Sequence, residues 1–272
     1  MPRFSFRQVD VFSDAPLRGN PVAVVHDATG LDDDQMAAFA RWTNLSETTF
    51  LLPPQDPAAD YRLRIFDPAA ELPFAGHPTL GSAHAWLEAG GTPRRDDVVV
   101  QECAAGLVEV RRGERLAFAA PPLVRSGPVS DAHLDRVTSA LRIGRDDVVD
   151  AAWVDNGPGW VGLVLRDAAA VLALEPDRGL LEGLDVGVVG EHPAGSEAAV
   201  EVRAFCPYED PVTGSLNAGL GQWLAGSRLP TSYVAAQGTA LQRQGRVHVV
   251  REGQEVWVGG DTRTTVVGHV EL

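Results

Sequence analysis

The segment Glu71–Leu87, ELPFAGHPTLGSAHAWL, predicts a loop that turns into a buried helix. Pro73, Gly76 and Pro78 mark the entry, and proline fits a first helical turn because the N–H it lacks would have no intrahelical partner. The residues that follow are small or apolar on nearly all sides, which is typical of a helix surrounded by protein. Its first backbone N–H groups are left for an anion or an oxyanion, and His77 stands beside them.

A second segment of the same design, DPVTGSLNAGLGQWL, spans Asp210–Leu224. Its Trp-Leu pair follows that of the first segment by 137 positions (223 − 86). Two further patterns recur in the same order at an offset of 139 (203 − 64 and 245 − 106): Arg64-x-Phe66-x-Pro68 as Arg203-x-Phe205-x-Pro207, and Gly106-x-Val108-x-Val110 as Gly245-x-Val247-x-Val249. Half of the 272 residues is 136, so the ordered set indicates two copies of one unit.

The predicted fold class is α+β, with one apolar helix in each half wrapped by a curled sheet. We expect two domains, 1–120 and 121–260, with a last strand at about 261–272 that returns to the first domain, and the proline-containing stretch 116–122 as the junction. If a pseudo-twofold axis relates the halves, both buried helices can present their N-termini to one cleft, as domain interfaces often hold ligands. Strands are predicted at 4–12, 22–25, 44–52, 61–66, 98–101, 107–111, 160–165, 199–205, 234–236, 246–251, 255–258 and 264–271. Further helices are predicted at 31–42, 131–142 and 168–174.

Composition excludes several classes of function. The formal net charge of −14 is opposite to that of a nucleic-acid-binding surface or of a protein drawn to anionic lipids. No apolar run approaches a membrane span, and two cysteines suit a reducing compartment, so we expect a cytoplasmic protein without a disulfide. All 23 basic residues are arginine, and the absence of lysine removes pyridoxal-phosphate chemistry and the P-loop. The histidines and cysteines have no metal-ligand spacing, so no metal site is predicted.

Four side chains could carry chemistry, and each of them also has a purely structural interpretation. Glu47 lies in an otherwise uncharged strand, as a solvated glutamate on an open face or as a desolvated carboxylate that takes and returns a proton. His77 is a capping or core histidine, or a neutral hydrogen-bond donor and proton carrier. Asp210 is the N-cap of the second helix by default. Ser215 is a helix-start residue, because Thr-Gly-Ser-Leu-Asn is not the Gly-x-Ser-x-Gly elbow of a hydrolase nucleophile.

Four motifs together resemble the PhzF family of phenazine-biosynthesis isomerase-like proteins over essentially the whole chain: Asp10-Val-Phe12 with Gly19-Asn-Pro21, Asn44-Leu-Ser-Glu47, Glu71-Leu-Pro-Phe-Ala-Gly-His-Pro-Thr79, and Glu209-Asp-Pro-Val-Thr-Gly-Ser215. The resemblance implies the diaminopimelate-epimerase fold, with two similar domains that are each a curved, mostly antiparallel sheet around a central helix. It also implies a homodimer, no cofactor, and a small anionic carboxylic acid as substrate. Neither nucleic acid nor membrane is an expected partner.

The resemblance implies a proton-shifting isomerase in which Glu47 is the general acid/base, and the composition suggests bacterial secondary metabolism. The implied catalytic residues are Glu47, His77, Asp210 and Ser215, and the implied substrate-binding residues are Asn20, Ser46, Gly76, Thr213 and Gly214. Related amino-acid epimerases use a thiol at each helix start, but the matching positions here are Gly76 and Thr213. Two alternatives stay open: an epimerase or racemase with a non-thiol pair such as Glu47 and Asp210, and a non-catalytic small-molecule-binding protein.

Overall fold

The structure, a computed structural model, describes residues 2–206 and 208–272 of the chain. Two compact units account for it: unit 1 is Met1–Ala119 with Gly259–Leu272, and unit 2 is Ala120–Val258. Pro207, the end of the second Arg-x-Phe-x-Pro pattern, lies outside the described residues. None of the helices formed by the described residues has both the length and the apolar character needed to cross a membrane.

Unit 1 is a curved sheet with one helix on each face. Its elements are β1 (Arg3–Val11), β2 (Asn20–Val25), α1 (Asp33–Thr43), β3 (Glu47–Leu52), β4 (Tyr61–Phe66), β5 (Glu71–Leu72), α2 (Gly76–Glu88), β6 (Val98–Cys103), β7 (Gly106–Arg112), β8 (Leu116–Ala119) and β18 (Thr262–Glu271). The strands pair in the order β18-β1-β2-β3-β4-β6-β7-β8, and β5 pairs with the far end of β4. The β2–β3 and β4–β6 pairs are parallel and the others antiparallel.

Unit 2 repeats this design. Its elements are β9 (Arg125–Pro128), α3 (Asp131–Leu141), β10 (Val148–Asp155), β11 (Trp160–Leu165), α4 (Ala168–Leu172), β12 (Asp185–Glu191), β13 (Val200–Phe205), β14 (Glu209–Asp210), α5 (Gly214–Leu224), β15 (Ser232–Gln237), β16 (Gly245–Glu252) and β17 (Glu255–Gly260), whose last two residues belong to unit 1. The strands pair in the order β9-β10-β11-β12-β13-β15-β16, and β14 pairs with the far end of β13.

The strand order confirms the predicted duplication. In each unit a parallel pair of strands, β2–β3 or β11–β12, is followed in the sheet by one strand, β4 or β13, that has two partners along the same edge. The first half of β4 pairs in parallel with β6, which follows the central helix, and its second half pairs with β5, which precedes that helix. The first half of β13 pairs in the same way with β15, and its second half with β14. The chain therefore leaves the sheet and begins α2 or α5 at the same point of each unit, which confirms the α+β class.

Both central helices are buried because small residues let strands approach them closely. Nine of the thirteen residues of α2 are buried, and eight of the eleven of α5. A Cβ on Gly81 would overlap Cγ1 of Val22, and a Cβ on Gly219 would overlap the backbone carbonyl oxygen of Val154. The two helices occupy the concave cores that the sequence predicts.

The outer faces of the sheets carry the other helices. In unit 1, α1 is capped by Asp32 in a capping box with Gln35, and it packs Met36 and Phe39 against Phe50 of β3. In unit 2, α3 and α4 cover an apolar cluster formed mainly by β11 and β12. Strand β3 of unit 1 is therefore buried on both faces, because α1 covers one face and α2 covers the other.

Two differences from the predicted elements have a physical cause. The strand expected from residue 44 begins at Glu47, because Asn44 ends α1 in the left-handed conformation, with φ 53°. Strands β10 and β12 were not predicted. Glycine normally weakens a strand, yet Gly187 of β12 is needed here because a Cβ would overlap the side chain of Leu216 on α5.

Candidate active site

The first turn of α2 has no side-chain cap. Ala75 is the N-cap residue, and the first turn contains no acidic residue. The backbone N–H of Thr79 donates to the carbonyl oxygen of Ala75 at 3.2 Å, while the N–H groups of Gly76 and His77 precede the first helical hydrogen bond. The positive end of the helix dipole is thus available to a negatively charged group, and Pro78 removes a donor that would otherwise need a partner.

Glu47 is brought to this turn by β3. Strand alternation places Glu47 on the same side as Thr49, whose hydroxyl lies 2.9 Å from that of Ser82 on α2. The Glu47 side chain is 16% exposed, and its Oε2 lies 3.3 Å from Nε2 of His77. The interpretation of Glu47 as a solvated glutamate on an open face is therefore wrong: its face of β3 packs on the central helix.

His77 is a buried, neutral imidazole. Burial lowers the pKa of His77 from its ordinary value of 6.5 to about 3, against a hydrogen bond to the backbone of Pro21 that raises it. Proline has no N–H, so its carbonyl oxygen accepts this bond. The contact between Glu47 and His77 therefore joins a carboxyl group to an uncharged ring.

Asn20 lies beside the histidine. It begins β2, is fully buried, and its Nδ2 lies 3.4 Å from Nδ1 of His77. The buried carboxylate of Asp10 accepts the backbone N–H groups of Arg18 at 2.9 Å and Gly19 at 3.1 Å, and so fixes the turn into β2. The sequence argument used Asp10 only as part of a motif and gave it no role. Ser46, also expected at the site, is partly buried immediately before Glu47.

The first turn of α5 also has no side-chain cap, and its polar groups are different. Thr213 is the N-cap residue, and its hydroxyl donates to Oδ2 of Asp210 at 2.6 Å. Asp210 is buried in β14, where it pairs with Ala204. The default interpretation of Asp210 as the N-cap is wrong, because the helix begins at Gly214 with Thr213 as its N-cap residue, and the Asp210 carboxylate accepts the hydroxyl of that residue.

Ser215, the second residue of α5, is held by Asn156 in the loop between β10 and β11 and by Trp160, the first residue of β11. The indole N–H of Trp160 donates to Oγ of Ser215 at 3.0 Å, and the amide of Asn156 donates to its backbone carbonyl oxygen at 2.9 Å. An indole N–H can only donate, so the Ser215 hydroxyl hydrogen points elsewhere and can be offered to a ligand. Trp160 and Asn156 were not predicted, since neither lies in a motif.

Among the described residues, the structure shows neither a disulfide nor a metal site. Cys103, which is buried, and Cys206, which is half-buried, are not joined in a disulfide. Within residues 2–206 and 208–272, no three histidine, cysteine, aspartate or glutamate side chains cluster as a metal site would require. A cavity of about 680 Å³ in unit 1 lies at the opposite end of α2, beside His84 and Glu88.

A family model, relatives in sequence and a solved structure all match nearly the whole chain. The family model described as phenazine biosynthesis-like protein (PhzC-PhzF) matches residues 9–269. Antisense-enhancing sequence 1 of Schizosaccharomyces pombe is 38% identical over 98% of this chain and 99% of its own. The trans-2,3-dihydro-3-hydroxyanthranilate isomerase of Pseudomonas aeruginosa is 35% identical over 90% of this chain and 89% of its own. A PhzF-family crystal structure from Enterococcus faecalis matches with a TM-score of 0.83 at 24% identity, covering 100% of both chains.

Proposed function

The chain belongs to the PhzF family of phenazine biosynthesis-like isomerases, and we propose that it moves a proton within a small carboxylic acid, without a cofactor. The reaction is a double-bond migration. A carboxylate removes a proton from one carbon, the electron pair of that C–H bond shifts the conjugated C=C bond, and the protonated carboxyl group returns the proton to another carbon of the same system. Atoms and electrons balance within the substrate.

The observation that carries the proposal is the contact between Glu47 and His77. A carboxyl group that is 16% exposed and 3.3 Å from a buried imidazole can exchange a proton with a substrate while the imidazole stays uncharged. A cationic histidine would stabilise the carboxylate form of Glu47 and make it a weak base. A neutral histidine allows Glu47 to accept a proton and then to return it. Glu47 is accordingly the proton-transferring residue of the proposal, and His77 its partner.

The start of α2 supplies the electrostatic part. Removing a proton next to a carboxylic acid builds negative charge on the substrate, and backbone N–H groups at a helix start stabilise such charge. The N–H of Gly76 is assigned to this role, with Asn20 and Ser46 as neighbouring polar contacts of the substrate.

In unit 2 the corresponding assignments are to Asp210, Ser215 and the backbone N–H of Gly214. The backbone N–H of Thr213 donates to Gln237 and its carbonyl oxygen accepts from Asn217, so Thr213 contributes through its hydroxyl, which donates to Asp210. Ser215 offers a hydroxyl hydrogen, because its oxygen already accepts from Trp160. Asp210 offers a buried carboxylate held by Thr213. A hydroxyl donor and a carboxylate acceptor suit a substrate that carries both an acidic and an amino or hydroxyl group, such as the dihydroxylated or aminated cyclic acids.

The experiment is a turnover assay by ¹H NMR on a panel of small unsaturated acids that begins with trans-2,3-dihydro-3-hydroxyanthranilate. We expect at least one acid to undergo double-bond migration with the wild-type protein, and Glu47→Gln to abolish it. Glu114→Gln is the matched control, since this glutamate is 94% exposed on the same unit. Inversion of a stereocentre without double-bond migration would favour an epimerase instead, and full turnover by Glu47→Gln would refute the assigned role.

A further inference from the structure

A buried glutamine on β15, Gln237, forms hydrogen bonds with residues before and within the first turn of α5. Its Oε1 accepts the backbone N–H of Thr213 at 3.1 Å and the Asn217 amide at 2.8 Å. Its Nε2 donates to Oγ1 of Thr213 at 2.9 Å and to the backbone carbonyl oxygen of Asp210 at 3.3 Å. Gln237 and Asn217 are fully buried.

The polarity of this arrangement is fixed by the backbone. An N–H can only donate and a carbonyl oxygen can only accept, so the N–H of Thr213 and the carbonyl of Asp210 determine which end of the Gln237 amide is oxygen and which is nitrogen. The nitrogen then faces the Thr213 hydroxyl, whose oxygen must accept. The hydroxyl hydrogen is left to point at Oδ2 of Asp210, 2.6 Å away.

We propose that Gln237 is a positioning residue for the reaction, and that it acts through Thr213 to keep a hydrogen-bond donor aimed at the carboxylate of Asp210. The inference rests on the proposed function for the place of Asp210 in the site. The donor favours the charged form of Asp210 and holds one of its oxygens, so that the carboxylate presents itself to the substrate as an anion in one orientation. These hydrogen bonds form in the absence of a ligand.

Unit 1 provides an internal control. The corresponding strand β6 carries the fully buried Gln101, which donates to the hydroxyl of Thr79 at 3.1 Å and accepts from the hydroxyl of Tyr61 at 3.1 Å. Thr79 and Asn217 are each the fourth residue of their helix, so both glutamines bind the first turn. Only Gln237 is linked through a hydroxyl to a carboxylate.

The test is the titration of the Asp210 carboxyl carbon by ¹³C NMR on the full chain without substrate, with the signal assigned by its loss in Asp210→Asn. Thr213→Val removes the donor at nearly constant volume, and we expect the titration midpoint to rise by about one pH unit. Gln237→Leu releases the hydroxyl and should raise the midpoint in the same direction by less. Thr213→Ser, which keeps the hydroxyl, and Gln101→Leu should leave it within a few tenths of a unit.

An unchanged midpoint in Thr213→Val, with a wild-type circular dichroism spectrum, would overturn the inference. An unchanged midpoint in a folded Gln237→Leu variant would overturn the role of Gln237 even if Thr213→Val moves it, and Gln237→Met takes its place if Gln237→Leu proves too unstable to titrate. The proposed function is judged separately, by the acidic limb of the pH profile for kcat/KM: it should move to higher pH in Thr213→Val and stay in place in Gln101→Leu. If the midpoint moves but the protein has no isomerase activity, the proposed function is refuted, whereas the hydrogen bonds from Gln237 through Thr213 to Asp210 are supported.

Discussion

The first turns of α2 and α5 lie at the same point of two copies of one strand order, but their polar groups differ in kind. At α2 the carboxylate comes from a neighbouring strand and meets a neutral imidazole on the helix, Glu47 and His77 at 3.3 Å. At α5 the carboxylate of Asp210 precedes the helix and is bound by the hydroxyl of its N-cap residue, Thr213, at 2.6 Å. An imidazole can donate or accept, whereas a hydroxyl whose oxygen is already bound can only donate.

The difference separates what duplication supplies from what side chains add. Duplication supplies two buried helices whose starts carry no side-chain cap, and hence two places suited to negative charge. The side chains then make one turn suitable for passing a proton and the other for holding a fixed acceptor. Four pairs of substitutions can break or sharpen this contrast.

The largest effect is expected from comparing the two acids. Glu47→Gln should lower kcat by about 10³-fold or more, because a general acid/base contributes roughly 10² to 10⁴. Asp210→Asn should act mainly on KM, with a smaller loss in kcat, since a fixed acceptor binds substrate without exchanging its proton. Steady-state kinetics on both variants measure the split. Equal losses of kcat would erase the distinction between the two turns.

A second comparison concerns how tightly each helix is enclosed. Gly219→Ala places a methyl group against the backbone carbonyl oxygen of Val154, whereas Gly81→Ala meets the side chains of Val22 and Val11. Overpacking costs roughly 1–3 kcal/mol and more where backbone must move. We expect Gly219→Ala to lower the free energy of unfolding by about 3 kcal/mol or more, and Gly81→Ala by less. Urea denaturation would contradict this if the order were reversed.

The third prediction uses the acid side of the stability profile. Because the folded-state pKa of His77 is about 3 and its ordinary value is 6.5, the unfolded chain binds a proton there that the folded chain does not. The free energy of unfolding should therefore fall as the pH decreases from 6.5 toward 3, by up to about 1.4 kcal/mol per pH unit. In His77→Gln the slope should be smaller by that amount. An exposed control, His269→Gln, should keep the wild-type slope.

The smallest effect is expected at Trp160, the first residue of β11, whose indole N–H donates to the hydroxyl of Ser215. Trp160→Phe removes the indole N–H at 3.0 Å and leaves the ring. A neutral hydrogen bond contributes about 1 kcal/mol, so kcat/KM should fall by less than tenfold. Trp42→Phe, at a tryptophan that is 80% exposed, should change nothing. A loss as large as that of Glu47→Gln would give Trp160 a role that its hydrogen bond does not explain.

Much of this architecture could be predicted from sequence because it depends on local composition. The proline and glycine residues before each apolar run predicted where α2 and α5 begin, and their small residues predicted burial. The repeated Arg-x-Phe and Gly-x-Val patterns fall on strands that occupy matching places in the two sheets. Strand β12 was missed because it contains Gly187 and Gly190, whose use becomes apparent only from the helices packed on them.

The site was predictable only in part, for a similar reason. His77 and Ser215 follow directly from the motifs, and the alternation of β3 placed Glu47 on one face without telling which face is covered. Asp210 looked like an N-cap because the default rule counts residues, whereas the helix begins four residues later, at Gly214. Gln237 and Trp160 lie outside every motif, and pairing across the sheet brings them to α5.

The most direct test of the central claim is the number of solvent deuterons that enter the product in deuterated water, counted by mass spectrometry after a single turnover with an accepted substrate. If Glu47 removes and returns the proton, the wild-type product should carry up to one deuteron, at the carbon that gains hydrogen, and Glu47→Gln should form no product in the time that the wild type needs for one turnover. Product formed by Glu47→Gln within that time and with the same label as the wild type would contradict the account.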